Sequence, residues 1–177
     1  GIDPILWGVL VFINLQAARI GKLDVERFKR QVKYSLLPNG TATDMVMQRG
    51  GRYNDMMHYD FMADMGIWFE NFGLPVVVNE CLMQSYDGVI RLFPNWDRKK
   101  DAAFYQLRAA GAFLVSASLE NGLVKKIDIL SEKGNNLKIN IPWEKGGYYT
   151  SNSGRKEIAG NFINIKTSPG ERIVLRP

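Results

Sequence analysis

The sequence has few residues suited to metal or thiol chemistry. It contains one cysteine, Cys81, and one histidine, His58, among 177 residues. A single thiol excludes an internal disulfide and cannot by itself form a structural zinc cluster. Its apolar neighbours, Val78 and Leu82 among them, predict a buried and unreactive thiol. The histidine and the dispersed carboxylates lack the spacing of a zinc site, so we expect neither a metal nor an organic cofactor.

The chain also lacks a long basic run and a long apolar run. Its net charge is +5, but the densest basic cluster, residues 98–100, is flanked by Asp97 and Asp101. Nucleic-acid contact normally needs several basic residues on one face. The apolar segment of residues 5–13 is much shorter than the roughly 20 residues of a membrane-spanning helix. Neither a nucleic acid nor a membrane is therefore expected as a partner.

Residues 1–86 carry helix signals. Asp3, followed by proline, predicts the start of a first helix that ends near Ile20, where Gly21 supplies a left-handed cap. Asp24 predicts the start of a second helix. The apolar face of this second helix consists of Val25, Phe28, Val32 and Leu36.

The next segment, residues 41–70, follows neither a helical nor a strand period. It is rich in methionine, glycine, aspartate and aromatic residues. Connections of this length inside compact domains are usually functional or only partly ordered, and we expect binding residues here. Pro75 then predicts the start of a third helix that ends near Gln84.

Residues 87–177 change to a strand pattern. Residues 111–119 alternate, with Phe113, Val115 and Ala117 facing one way, and Asn121-Gly122 predicts a tight hairpin turn after them. The return strand is expected to carry Val124, Ile127 and either Ile129 or Leu130. Further short strands are expected at residues 89–93, 137–141, 148–151, 161–165 and 172–176. The predicted class is α+β, with N-terminal helices in residues 1–86 and a small antiparallel β-sandwich in residues 87–177.

Four short motifs carry a resemblance to a known family. They are Asn71-Phe72-Gly73, the helix end Glu80-Cys81-Leu82-Met83-Gln84-Ser85, the turn Asp87-Gly88-Val89-Ile90, and Leu107-Arg108-Ala109. Together they resemble the end of glycoside hydrolase family 95, the α-L-fucosidases and their relatives. The resemblance implies that the helices are the last part of an (α/α)₆ barrel. In the family's enzymes an aspartate just before Asn-Phe-Gly is the general base, and the general acid is a glutamate much earlier in the chain, in a part that this sequence does not include. The aspartate's position holds Phe69 here, and Glu70 follows it.

Candidate site residues cluster before and within the Asn-Phe-Gly motif. Inverting glycoside hydrolysis needs two carboxyl groups about 6.5–9.5 Å apart, and Glu70 is the candidate catalytic base. The alternative is that Glu70 only stabilises the start of a helix. Trp68 offers an apolar face to a sugar ring, and Asn71 an amide that could orient a water or a hydroxyl. His58 and Asp60 are further candidates for substrate binding, since polar groups alternate with rings around them.

The expected function is that of a C-terminal fragment of a glycoside hydrolase acting on oligo- or polysaccharide, similar to an α-L-fucosidase or galactosidase. By this interpretation the fragment contributes part of the sugar cleft and is inactive alone. Its expected partners are carbohydrate and either the missing catalytic barrel or a second copy of the chain. The resemblance implies a periplasmic or extracellular location. The alternative is a non-catalytic module that binds glycan or supports a neighbouring domain.

Overall fold

The computed structural model describes residues 10–36, 40–42 and 68–177. The fold is α+β, as predicted, with helices followed by a small antiparallel β-sandwich. The chain forms two compact units, Gly1–Glu80 and Cys81–Pro177; the predicted domain boundary lies a few residues later, between residues 86 and 87. The described helices are α1 (Leu10–Arg19), α2 (Val25–Ser35) and α3 (Trp68–Leu82).

Ten strands follow in the described residues. Their bounds are β1 (Met83–Gln84), β2 (Arg91–Leu92), β3 (Ala102–Ala109), β4 (Phe113–Glu120), β5 (Leu123–Ser131), β6 (Asn136–Asn140), β7 (Gly147–Ser151), β8 (Gly154–Ile158), β9 (Phe162–Lys166) and β10 (Glu171–Arg176).

The first unit has a small apolar core to which all three described helices contribute. The predicted signals around α2 are confirmed: Gly21 has a positive φ of 68°, and Asp24 accepts a hydrogen bond from the Arg27 amide at 2.9 Å. Gly73 of α3 approaches the side chain of Val11 so closely that a Cβ atom there would collide with it. The core consists of Val11, Phe28, Ala42, Leu74 and Val77.

The prediction that Pro75 opens the third helix is wrong. Helix α3 begins at Trp68, and Pro75 lies inside it. A proline within a helix removes one backbone hydrogen bond to the residue four positions earlier. Burial of Leu74 and Val77 on either side of it stabilises the helix against that loss. Tertiary packing has therefore overridden a local signal.

The second unit contains a six-stranded antiparallel sheet with strand order β3-β4-β5-β10-β7-β8. Strands β6 and β9 form a second, two-stranded sheet, and β1 pairs with β2. The Ile90 backbone joins β6, because its amide donates to Lys138 at 2.9 Å and its carbonyl accepts from Asn140 at 3.0 Å. Fully buried side chains of both layers share one core, among them Val115, Ile127, Ile129, Leu137, Ile139, Ile173 and Leu175.

The predicted hairpin turn is confirmed, because Asn121 and Gly122 both have positive φ, 51° and 78°. The predicted strands correspond to described strands, although residues 89–93 contribute only the short β2.

Three strands were missed. Strand β1 occupies Met83–Gln84, where the third helix was expected to continue, whereas α3 ends at Leu82. The inner-outer alternation of β3 is broken by an irregularity between Phe104 and Leu107. Strand β8 is a short edge strand that is almost entirely exposed and polar, so it lacks the apolar pattern on which strand prediction depends.

Candidate functional site

Asn71 is a candidate site residue whose side-chain hydrogen bonds to a distant backbone position are described. Its Oδ1 accepts a hydrogen bond from the Ala42 amide at 2.8 Å, and its Nδ2 donates to the Ala42 carbonyl at 3.2 Å. The Ala42 backbone also pairs with Leu36, just after α2. A single side chain in the first half of α3 thus holds the segment of residues 40–42 beside α2 and α3.

A groove of about 710 Å³ lies beside Asn71 in the first unit. This volume is within the roughly 300–1,000 Å³ that small-molecule sites usually have. The described wall includes apolar side chains of α2 and α3, among them Phe28, Val32, Leu74 and Val78, and also Lys29 and Lys33 of α2. Among the described residues that line the groove, none carries a carboxylate. Any acid or base in a reaction here would therefore come from residues beyond this wall.

Trp68 and Glu70 belong to the first turn of α3, and Glu70 directly precedes Asn71. Free amides at the start of a helix favour a carboxylate, which is the basis of the helix-stabilising role of Glu70. That role and the catalytic role both remain predictions. His58 and Asp60 lie outside the described residues. The structure thus places three of the five candidate residues on one helix end, and it gives the side-chain contacts of Asn71 alone.

The turn of residues 87–90 is held by Asp87. Its carboxylate accepts two hydrogen bonds from Arg91, at 2.8 and 2.7 Å, and one from the Val89 amide at 3.1 Å. The Arg91 hydrogen bonds, followed by the one from Val89, lower the pKa of Asp87 from 3.8 to about 2. A carboxyl with this pKa is ionised at neutral pH and has no proton to donate. Asp87 is therefore a structural acceptor in this turn.

A second concavity lies on the outer face of the six-stranded sheet, with a volume of about 620 Å³. Asp128 on its floor accepts hydrogen bonds from Arg172 at 2.8 and 2.6 Å and pairs with Lys126 at 3.1 Å. The Arg172 hydrogen bonds are the main cause of the lowered pKa of Asp128. Tyr105 on the wall is 78% exposed. Sequence reasoning missed this group, although the alternating polar positions of β5 and β10 were a signal for an outward-facing polar surface.

In the described part of the chain, no three His, Cys, Asp or Glu side chains lie close enough together to hold a metal ion. None of the helices among residues 10–36 and 68–177 has the length and apolarity that a membrane crossing requires.

Comparison with known proteins adds no relative. No protein-family model matches the chain, and no curated protein matches it significantly. Function is therefore inferred from the motifs, the residues and their geometry.

Proposed function

We propose that this chain is the C-terminal part of a glycoside hydrolase that acts on oligo- or polysaccharide, similar to family 95. The observation that supports this proposal is the position of Asn71. It belongs to the motif with the resemblance, and it lines an open groove of about 710 Å³ instead of lying in a closed core. The order of helices followed by a small sandwich is also the order that the resemblance implies.

In this proposal the reaction is an inverting hydrolysis with Glu70 as general base. Glu70 takes a proton from a water that attacks the anomeric carbon, and an acid on the missing barrel protonates the leaving oxygen. Trp68 packs against the sugar ring, while His58 and Asp60 bind hydroxyl groups. Asn71 lines the cleft and holds Ala42 beside it.

Exposed apolar side chains on the helices support the idea of a neighbouring layer. Ile20 is 71% exposed and Phe72 is 70% exposed, and Val76 and Val78 of α3 are also exposed. Phe72 and Val76 are four positions apart and so share one face of α3, and burial of exposed apolar side chains against a neighbour is favourable. The proposed neighbours are the rest of the catalytic barrel or a second copy of the chain.

The test of the fragment proposal is hydrolysis of aryl α-L-fucosides and aryl galactosides. We expect turnover by a longer chain that includes the barrel and negligible turnover by the 177-residue chain alone. In the longer chain, Glu70→Gln should lower kcat by about 10²–10⁴-fold, the usual contribution of a general base. Glu120→Gln, on the sandwich, is the matched control and should leave kcat unchanged. Full activity of the short chain would disprove the incomplete site, and full activity of the Glu70 variant would remove Glu70 as the base.

A second candidate function is a non-catalytic module that binds glycan or supports a neighbouring domain. Two observations favour it: the position of the family's aspartate holds Phe69, and the described groove wall lacks a carboxylate. Calorimetry with L-fucose, galactose and plant oligosaccharides tests this candidate. Two results would favour the module over the enzyme. The Glu70→Gln chain would still bind glycan, and a longer chain with the same change would hydrolyse its substrate as fast as before.

A further inference from the structure

The second concavity, on the outer face of the six-stranded sheet, is shaped by a β-bulge in β3, and it is called the sheet groove here to distinguish it from the groove beside Asn71. Phe104 pairs with Ala117 and Leu107 with Val115, so that two residues of β3, Tyr105 and Gln106, lie opposite one residue of β4. An extra residue of this kind bends a strand and redirects its side chains.

Gln106 adopts a positive φ of 52° at the bulge, which is unusual for a residue other than glycine. The backbone amide of Gln106 donates a hydrogen bond to the Ser116 hydroxyl at 3.0 Å, and this bond stabilises the bulge. Tyr105, beside it, is 78% exposed and lines the groove. The bulge therefore presents a large aromatic ring to solvent at the wall of a concavity.

The charged groups of the groove come from two neighbouring strands. Asp128 of β5 lies diagonally opposite Arg172 of β10, because Arg172 pairs with Leu130. Arg172 donates two hydrogen bonds to Asp128, and Lys126 contacts the same carboxylate. Two cations thus share one carboxylate, which leaves one positive charge in excess.

The arginine in this cluster is both held and accessible. The two hydrogen bonds to Asp128 occupy two of the five N–H groups of the Arg172 guanidinium and fix its orientation. The Arg172 side chain is nevertheless 67% exposed, and that of Lys126 is 42% exposed. A held guanidinium binds a carboxylate with less loss of side-chain entropy than a free one.

We propose that this groove binds an acidic oligosaccharide, one whose sugar units carry carboxylates. Tyr105 packs against the apolar face of a sugar ring, Arg172 and Lys126 pair with the ligand's carboxylate, and Ser116 and Ser118 bind hydroxyls. Leu114 and Leu130 provide the apolar part of the floor. The volume of about 620 Å³ is within the usual range of small-molecule sites.

Charge selects this ligand over two others. A neutral glycan would leave the excess positive charge uncompensated and would forgo the charge-assisted hydrogen bonds. An apolar peptide segment would have to desolvate Lys126 and Arg172 without a partner for them, which is unfavourable. An acidic sugar combines the ring and the negative charge that the groove matches.

This inference rests on the proposed function only for the class of ligand, carbohydrate. The groove residues belong to the unit Cys81–Pro177 and do not include Glu70 or Asn71. Failure of binding at the groove and failure of hydrolysis are therefore distinguishable.

The experiment is calorimetry of the 177-residue chain with a galacturonic acid trimer and with the matching neutral galactose trimer. We expect the acidic trimer to bind at least about ten-fold more tightly than the neutral one, which is the gain in affinity that one hydrogen bond between charged groups provides. Its binding should weaken when salt is added. Equal affinity for the two trimers, or binding of neither, would overturn the proposal.

Variants localise the binding to the groove. Arg172→Gln should remove the preference for the acidic trimer, and Tyr105→Ala should weaken its binding about ten-fold, while Tyr105→Phe should retain it. Lys156→Gln, which removes an exposed cation from β8, is the matched control and should bind normally. Arg172→Gln leaves Asp128 paired with Lys126 alone, so the excess positive charge is lost. The double variant Arg172→Gln/Asp128→Asn restores one excess charge through Lys126 and should regain part of the preference. Unchanged binding in both the Tyr105→Ala and the Arg172→Gln variants would overturn the proposal, as would loss of binding in Glu70→Gln.

Discussion

At Asn71 one side-chain amide serves both polar groups of a distant backbone position, Ala42. The two residues are 29 positions apart, and the pair of hydrogen bonds resembles the pairing between two strands. An amide side chain can do this because it carries a donor and an acceptor in the same geometry as a peptide group. Asn71 thus contributes to the groove by holding its wall.

Removal of this amide should loosen the segment of residues 40–42. We expect Asn71→Ala to lower stability by about 1–3 kcal/mol, because it leaves the Ala42 amide and carbonyl without these partners. The Ala42 amide should then exchange its hydrogen faster. Asn71→Asp keeps the acceptor and should preserve more of the protection, whereas Asn79→Ala, an exposed change on the same helix, is the control. Unchanged exchange at Ala42 in Asn71→Ala would contradict the tether.

Asp87 should make stability depend on pH in a defined direction. Its pKa is about 2 in the folded chain against an ordinary value of 3.8, so its contribution is complete above the ordinary value and is lost as the pH falls toward 2. Because the carboxylate is partly exposed, we expect Asp87→Asn to lower the free energy of unfolding at pH 7 by up to about 1 kcal/mol. Denaturation followed by circular dichroism should show this difference shrinking toward pH 2. A pH-independent difference would contradict the ion pair, and Glu144→Gln is the exposed control.

Among the elements, the β4–β5 hairpin is the one with the strongest local signal. Asn121 and Gly122 connect the strands with positive φ at both positions, the geometry of a type I′ turn. We expect Gly122→Ala to destabilise the chain by about 1–2 kcal/mol, because an L side chain is strained in that region. Asn121→Gly relieves no contact and should have little effect in the same denaturation assay. If both variants had the same stability as the parent, turn strain would not determine this hairpin.

Strand β3 illustrates why other elements were missed. A bulge at Tyr105 and Gln106 shifts the period of its side chains, so the alternation that marks β4 is absent. The pairing with β4 compensates, since the backbone hydrogen bonds of β3 do not depend on which side chains it carries. Helix α3 was misplaced for the related reason that burial outweighed the signal of Pro75.

At the scale of the whole molecule, the chain consists of a helical unit and a sandwich unit. Their junction in the sequence is at Cys81, which lies near the end of α3 and is 6% exposed. This agrees with the prediction of a buried thiol.

Cys81 is therefore a reporter of local unfolding at the end of α3. We expect a thiol reagent to label the native chain roughly a hundred-fold more slowly than the denatured chain, because labelling requires local or global unfolding. Sub-denaturing urea should raise the labelling rate, while the rate for the fully unfolded chain gives the reference. Rapid, complete labelling under native conditions would contradict the burial of the thiol.

Local residue chemistry by itself determined the class of the fold, the cap of α2, the hairpin turn and the inward face of β4. Each of these depends on residues within a few positions, through a backbone angle or a side-chain period. Tertiary structure alone decided the contact of Asn71 with Ala42 and the cluster of Arg172 with Asp128, whose partners are 29 and 44 residues apart. Such contacts depend on strand register and helix packing, which are set by burial of the whole core and not by the residues that meet.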